Sequence, residues 1–116
     1  MKKISWYIKK YAYLFLLLVF VQNVTATAYT PHENNGRRMT ASGVSAVEGV
    51  TCAADYIGGY KIPFGTIIEF PDGQRFIVQD RFGAGHNNRL DVFMESYNRA
   101  IQFGRRCFDI KVTIPD

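Results

Sequence analysis

Two runs of β-branched and aromatic residues meet at a turn built for a hairpin. Thr66-Ile67-Ile68-Glu69-Phe70 and Arg75-Phe76-Ile77-Val78-Gln79 flank Pro71-Asp72-Gly73-Gln74. Both runs have the composition of strands, and Asp-Gly between them marks a tight reversal. Other segments repeat the theme. Thr27-Ala28-Tyr29-Thr30 is a short β-type run stopped by Pro31, and Val50-Thr51-Cys52-Ala53-Ala54 is another. Arg89-Leu90-Asp91-Val92-Phe93 reads as a strand, and the alternation in Cys107-Phe108-Asp109-Ile110-Lys111-Val112-Thr113-Ile114 makes a last one. Lys61-Ile62-Pro63-Phe64-Gly65 is a turn, because Pro63 fixes its own φ and Gly65 frees the next bend. One helix fits, with Ser96 as N-cap, Tyr97, Ala100 and Ile101 at helical spacing, and Gly104 as the stop. The expectation is an all-β domain of about six strands and one short helix, closed into a barrel so that no edge is exposed.

The start of the chain is of another kind. Met1-Lys2-Lys3 is followed by Lys9 and Lys10, and then by an apolar run from Tyr11 to Val21. That run falls short of the roughly 20 apolar residues that cross a bilayer. A basic start, a short apolar middle and the small-residue end Val24-Thr25-Ala26-Thr27-Ala28 describe an export signal, cut after Ala26 or Ala28. An uncleaved membrane anchor is the alternative. The expected organisation is a signal over residues 1–26 and a single domain over residues 27–116, secreted or held in the cell envelope.

The signal also carries the charge excess. The chain has 14 Lys+Arg against 10 Asp+Glu, but Lys2, Lys3, Lys9 and Lys10 fall in the first 26 residues, which hold no acid. Ten basic and ten acidic residues remain, so composition gives no support for a nucleic-acid footprint on the folded part. About 90 residues make one small domain, for which a staple is common. Cys52 and Cys107 form an even pair, which in an exported chain favours a disulfide over two buried thiols. His32 and His86 stand alone and no Cys-x-x-Cys occurs, so a metal site is not expected.

Chemistry concentrates around the aspartates. Asp80 ends one strand and Asp91 sits in the next. Between them runs a loop with two glycines and two asparagines, sharp enough to bring both carboxylates to one cleft. Cleaving a glycan requires a proton on the bridging oxygen, which a carboxyl group of raised pKa delivers. Partial burial and a neighbouring carboxylate both raise it. Aspartates at strand ends also serve as turn caps, which is the reading for Asp72.

Several segments in fixed order carry a resemblance. They are Thr27-Ala28-Tyr29-Thr30, Thr40-Ala41-Ser42-Gly43, Ala54-Asp55, Ile62-Pro63-Phe64-Gly65-Thr66, Asp80, Asn88-Arg89-Leu90-Asp91 and Gln102-Phe103-Gly104-Arg105-Arg106. In this order they resemble the three-aspartate (3D) domain of lytic transglycosylase barrels and small secreted muralytic proteins. The resemblance implies a six-stranded double-psi β-barrel. It implies Asp55, Asp80 and Asp91 as the three aspartates, with Asp91 as the acid and base. It implies Tyr29, Thr40 and Arg89 as residues that contact sugar. The expected reaction is non-hydrolytic cleavage of the MurNAc–GlcNAc β-1,4 bond of peptidoglycan, leaving 1,6-anhydro ends and needing no cofactor. In such a barrel early and late strands come together, which would let Cys52 and Cys107 meet. The chain departs from the pattern at Arg81-Phe82-Gly83, which resembles the matching segment of rare-lipoprotein-A-like barrels instead. Ala54-Asp55-Tyr56 also lacks the Asp-Pro common in the 3D family. Arg81 stands where it would pair with Asp80 or Asp91 and lower a pKa that catalysis wants raised. The competing expectation is a non-catalytic module that binds or loosens wall glycan, in which aromatics such as Tyr29, Tyr56 and Tyr60 would outweigh the carboxylates.

Overall fold

A computed structural model describes residues 18–115 of the chain. Eight strands run in the order β1 (Leu18–Tyr29), β2 (Thr51–Ala53), β3 (Tyr56–Ile57), β4 (Tyr60–Lys61), β5 (Ile67–Glu69), β6 (Arg75–Asp80), β7 (Arg89–Phe93) and β8 (Arg106–Ile114), with helix α1 (Tyr97–Phe103) before the last. Six of them close into a barrel in the order β1-β7-β2-β6-β5-β8, while β3 and β4 make a small separate hairpin. Closure pairs every barrel strand on both sides, so none is left as an open edge. Two of the six pairings are parallel, β1 with β7 and β2 with β6, and the remainder are antiparallel. Parallel neighbours need long crossovers, which explains why strands adjacent in the barrel are distant in sequence.

The expected local structure is present. Ile68 faces Phe76 across the β5–β6 hairpin. In its turn Gly73 has φ of +91°, and Asp72 Oδ1 accepts from the Gln74 N–H at 2.9 Å. Helix α1 starts at Ser96, whose hydroxyl accepts from the Arg99 N–H at 3.2 Å, and stops at Gly104 with φ of +64°. Inward residues alternate along the strands: Phe76 and Val78 on β6, Leu90 and Val92 on β7, and Ile110 and Val112 on β8 are buried. Each such side chain contributes about 1.5–3 kcal/mol on leaving water.

Two features differ from the sequence reading. Strand β1 is far longer than the run before Pro31, because it begins at Leu18. It pairs with β8 antiparallel from Leu18 opposite Ile114 to Ala26 opposite Arg106. The expected boundary at residue 27 therefore falls inside a barrel strand, while residues 1–17 of the expected export signal lie outside the described residues. The expected disulfide is absent, and both cysteines are free. Cys52 lies on β2 wholly inside the core, whereas Cys107 is exposed on β8. Strands β7 and β1 stand between β2 and β8, so the two sulfurs occupy opposite sides of the wall and cannot meet.

Candidate active site

Four adjacent strands place one residue each in a row across the barrel. Thr27 on β1 faces Asp91 on β7, Asp91 faces Ala53 on β2, and Ala53 faces Asp80 on β6. Regular pairing would have set Gln79 opposite Ala53, since Cys52 faces Val78. A bulge breaks the register between Cys52 and Ala53 and brings Asp80 there. Bulges re-aim side chains in this way. The bulge is held from within, because the buried Thr51 hydroxyl donates to Gln79 Oε1 at 2.7 Å. Thr27, Ala53, Asp80 and Asp91 line a cleft of about 290 Å³, together with Tyr29, Glu33 and Phe82.

The two carboxylates have different surroundings. Asp80 Oδ1 accepts from the N–H groups of Ala41 and Arg81, each at 2.9 Å, and its Oδ2 accepts from the Tyr29 hydroxyl at 2.8 Å. Three donors on two sides fix its orientation. Burial and the bond to Asp80 push the Tyr29 phenol well above its ordinary range, so it stays a donor. Among the described residues, Asp91 accepts only from the Thr27 hydroxyl, at 3.0 Å. Burial drives its pKa up, and the negative charges of Glu33 and Asp80 add to the rise. The Thr27 bond and the Arg89 charge oppose it, and the balance is a pKa of about 6. A carboxyl group of that pKa exchanges its proton near neutrality, which is the requirement for a general acid that later acts as a base.

Asp55 is not in this cleft. It is buried beneath the loop that joins β6 to β7 and accepts from four of its N–H groups. Phe82 and Gly83 donate to one oxygen at 2.9 and 3.4 Å, and Gly85 and His86 to the other at 2.9 and 3.0 Å. Burial alone would raise its pKa, but these four donors outweigh it and hold the carboxyl below its usual range. Asp55 is thus a positioning residue that shapes the loop carrying Phe82 into the cleft. Asn87 and Asn88 tie the same loop to the β3–β4 hairpin, accepting from the N–H groups of Gly59 and Gly58 at 3.0 and 2.6 Å.

The three residues expected to contact sugar divide. Tyr29 lines the cleft. Thr40 does not, because it is buried and its hydroxyl donates to the Val44 carbonyl at 2.7 Å. It braces the turn whose next residue, Ala41, holds Asp80. Arg89 stands behind Phe82, its guanidinium 5.2 Å from that ring's centre, and bears on Asp91 as a positive charge. Arg81 lines the same cleft, but its guanidinium is engaged elsewhere. Its guanidinium donates to the Ala54 carbonyl at 2.9 Å and lies 4.0 Å over the Phe64 ring. Among the described residues it forms no ion pair with Asp80 or Asp91. His86 packs edge-on against Phe82, with ring centres 5.1 Å apart.

Thr27, Glu33, Ala53 and Phe82 belong to the cleft and are not among the site residues that the sequence points to. The spacing Thr30-x-x-Glu33 is a capping-box pattern, and both halves of the box form around the 3-10 turn Pro31–Asn34. That pattern was the readable signal for Glu33. Ala53 has no chemistry to signal it, and only the strand register reveals its place. Among the described residues, no group of three His, Cys, Asp or Glu is placed to hold a metal ion. No protein-family model matches the chain, and no curated protein matches it significantly.

Proposed function

We propose that this protein is a peptidoglycan lytic transglycosylase acting outside the cytoplasm, with Asp91 as its acid and base. The observation that carries the reading is Asp91 itself: a half-buried carboxyl in an open cleft, one strand removed from a second, firmly held carboxylate, with a pKa of about 6. The two parallel strand pairs within a six-stranded barrel also suit the double-psi architecture that the 3D resemblance implies.

In the proposed reaction, protonated Asp91 gives its proton to the oxygen between C1 of N-acetylmuramic acid and C4 of N-acetylglucosamine. The C1–O bond breaks with the electron pair leaving on that oxygen, and positive charge develops at C1. Asp80, held in place by Ala41, Arg81 and Tyr29, stabilises that charge across the cleft. Asp91, now a carboxylate, takes the proton of the C6 hydroxyl as O6 closes on C1. The product carries a 1,6-anhydro end, Asp91 regains its proton, and no water is consumed. Digesting sacculi in 18O-labelled water tests this directly. No label in the new sugar ends is expected, and incorporation of 18O at C1 would make the protein a hydrolase.

Exposed Tyr60 and Phe64 favour a second reading, glycan binding without cleavage. Sacculi that retain the protein but release no fragments would select it.

A further inference from the structure

We propose that Ala26 and Ala28 are not processing sites of the working protein, and that any cut of its N-terminal segment falls before Leu18. Strand pairing alone carries this, independent of the glycan chemistry. All nine positions at which β1 pairs with β8 lie between Leu18 and Ala26. A cut after Ala26 leaves Thr27, Ala28 and Tyr29 paired with Asp91, Val92 and Phe93 of β7, and strips β8 of its partner on that side. The barrel order closes through β8 and β1, so the cut opens it and bares two strand edges.

Side chains repeat the argument. Val24 and Ala26 are core residues, at 1% and 0% exposure, and both would be lost. Phe20 packs against the core and meets the Tyr60 ring at 5.6 Å between centres. Phe20 and Gln22 also close over Gly58, where even a Cβ would come within 3.3 and 3.2 Å of them. The Asn23 amide donates to Asp109 on β8 at 3.0 Å. These are the fittings of a structural strand, not of a segment discarded before folding.

The site gives a second reason. Thr27 holds Asp91 through its hydroxyl. A cut after Ala26 would make Thr27 the N-terminus and set its α-ammonium beside the cleft. That positive charge would pull down the Asp91 pKa that burial raises. A cut after Ala28 would remove Thr27 altogether.

The test is made on the full chain, produced with a C-terminal affinity tag in a host that exports it. Intact mass and N-terminal sequencing of the accumulated protein locate the first residue, and a thermal melt of the same sample reports folding. The expected result is a cooperatively melting protein whose first residue is Leu18 or one before it. Accumulated protein that begins at Thr27 or Tyr29 overturns the proposal, whether or not it melts cooperatively.

Discussion

Asp80 and Asp91 face the same residue, Ala53, from opposite sides. Asp80 reaches it through a parallel pairing and Asp91 through an antiparallel one. Strands stand about 4.8 Å apart, so the two aspartate backbones are roughly 10 Å apart with a methyl group as the floor between them. Two carboxylates can act on one sugar ring only while that floor stays low. Ala53→Val raises it. Its fit in the β2 wall costs about 1–3 kcal/mol by overpacking, which a denaturant titration measures. The larger expected effect is on turnover of sacculi, a loss of at least about tenfold, as small misplacements in a site often cause.

The Asp91 proton ties activity and stability to pH in opposite ways from an ordinary carboxylate. Its folded pKa of about 6 lies above the unfolded value of 3.8. Between those values the folded state keeps a proton that the unfolded state has lost. Stability from this group is full below about pH 4 and is lost as pH rises through about 6. Asp91→Asn keeps the Thr27 hydrogen bond and removes the charge. It is expected to be more stable than the natural protein at pH 7.5, by about 1–2 kcal/mol after allowing for solvent at the cleft mouth. No such gain is expected at pH 4. Turnover by the natural protein should fall as pH rises through about 6, as the acid form is depleted. Thermal melts and initial rates across pH 4–8 check both limbs.

Asp55 titrates with the opposite sign. Its folded pKa is depressed by the loop N–H groups, so its contribution is present above the usual carboxylate pKa and is lost as pH falls through the folded value. Asp55→Ala leaves the donors of Phe82, Gly83, Gly85 and His86 without their acceptor. A loss of about 2–4 kcal/mol is expected, since several buried donors go unsatisfied together. Hydrogen exchange should accelerate most at those four amides. If exchange there is unchanged, Asp55 does not position the loop.

A chain that starts at Thr27 should fail to fold. It lacks the partner of β8 and the core residues Val24 and Ala26. Total stability of a domain this size is only about 5–15 kcal/mol, and loss of one buried side chain such as Val24 alone removes about 1.5–3 kcal/mol of it. Circular dichroism melts of residues 27–116 beside residues 18–116 give the answer, with a cooperative transition expected in the longer chain alone.

Much of this fold was readable where local chemistry agrees with the final structure. The Asp72-Gly73 turn, the Ser96 and Gly104 helix ends and the alternation before Pro115 are each determined by nearby residues. Strand β1 was hidden because apolar residues occupy both of its faces: Val24 is buried, while Val19 and Val21 are exposed. Leu18 to Val21 are all apolar, so no alternation marks the start of the strand, and it merges with the apolar run that follows the lysines. The β3–β4 hairpin is marked only by the turn signal Gly58-Gly59 between Ile57 and Tyr60, because its strands are two residues each, too short to show alternation. For the site, the strand positions led to Asp80 and Asp91, and only the resemblance brought in Asp55, as a residue that orients the site from the adjoining loop. The place of Asp55 outside the cleft could not be read from residue type. The division rests on which backbone N–H groups converge where, and that depends on the path of the loop. The bulge that turns Asp80 to Ala53 leaves no mark in the sequence, since nothing distinguishes Gln79 from any other polar strand residue.

Asp91 as the single acid and base is most directly tested by muropeptide mass spectrometry. The purified full chain and its Asp91→Asn variant are each incubated with peptidoglycan sacculi, and the released fragments are weighed. Anhydro-muropeptides from the natural protein, with none from a variant that melts at the same temperature or higher, are the predicted result. Anhydro-muropeptides from both proteins, or fragments with only reducing ends, would contradict it.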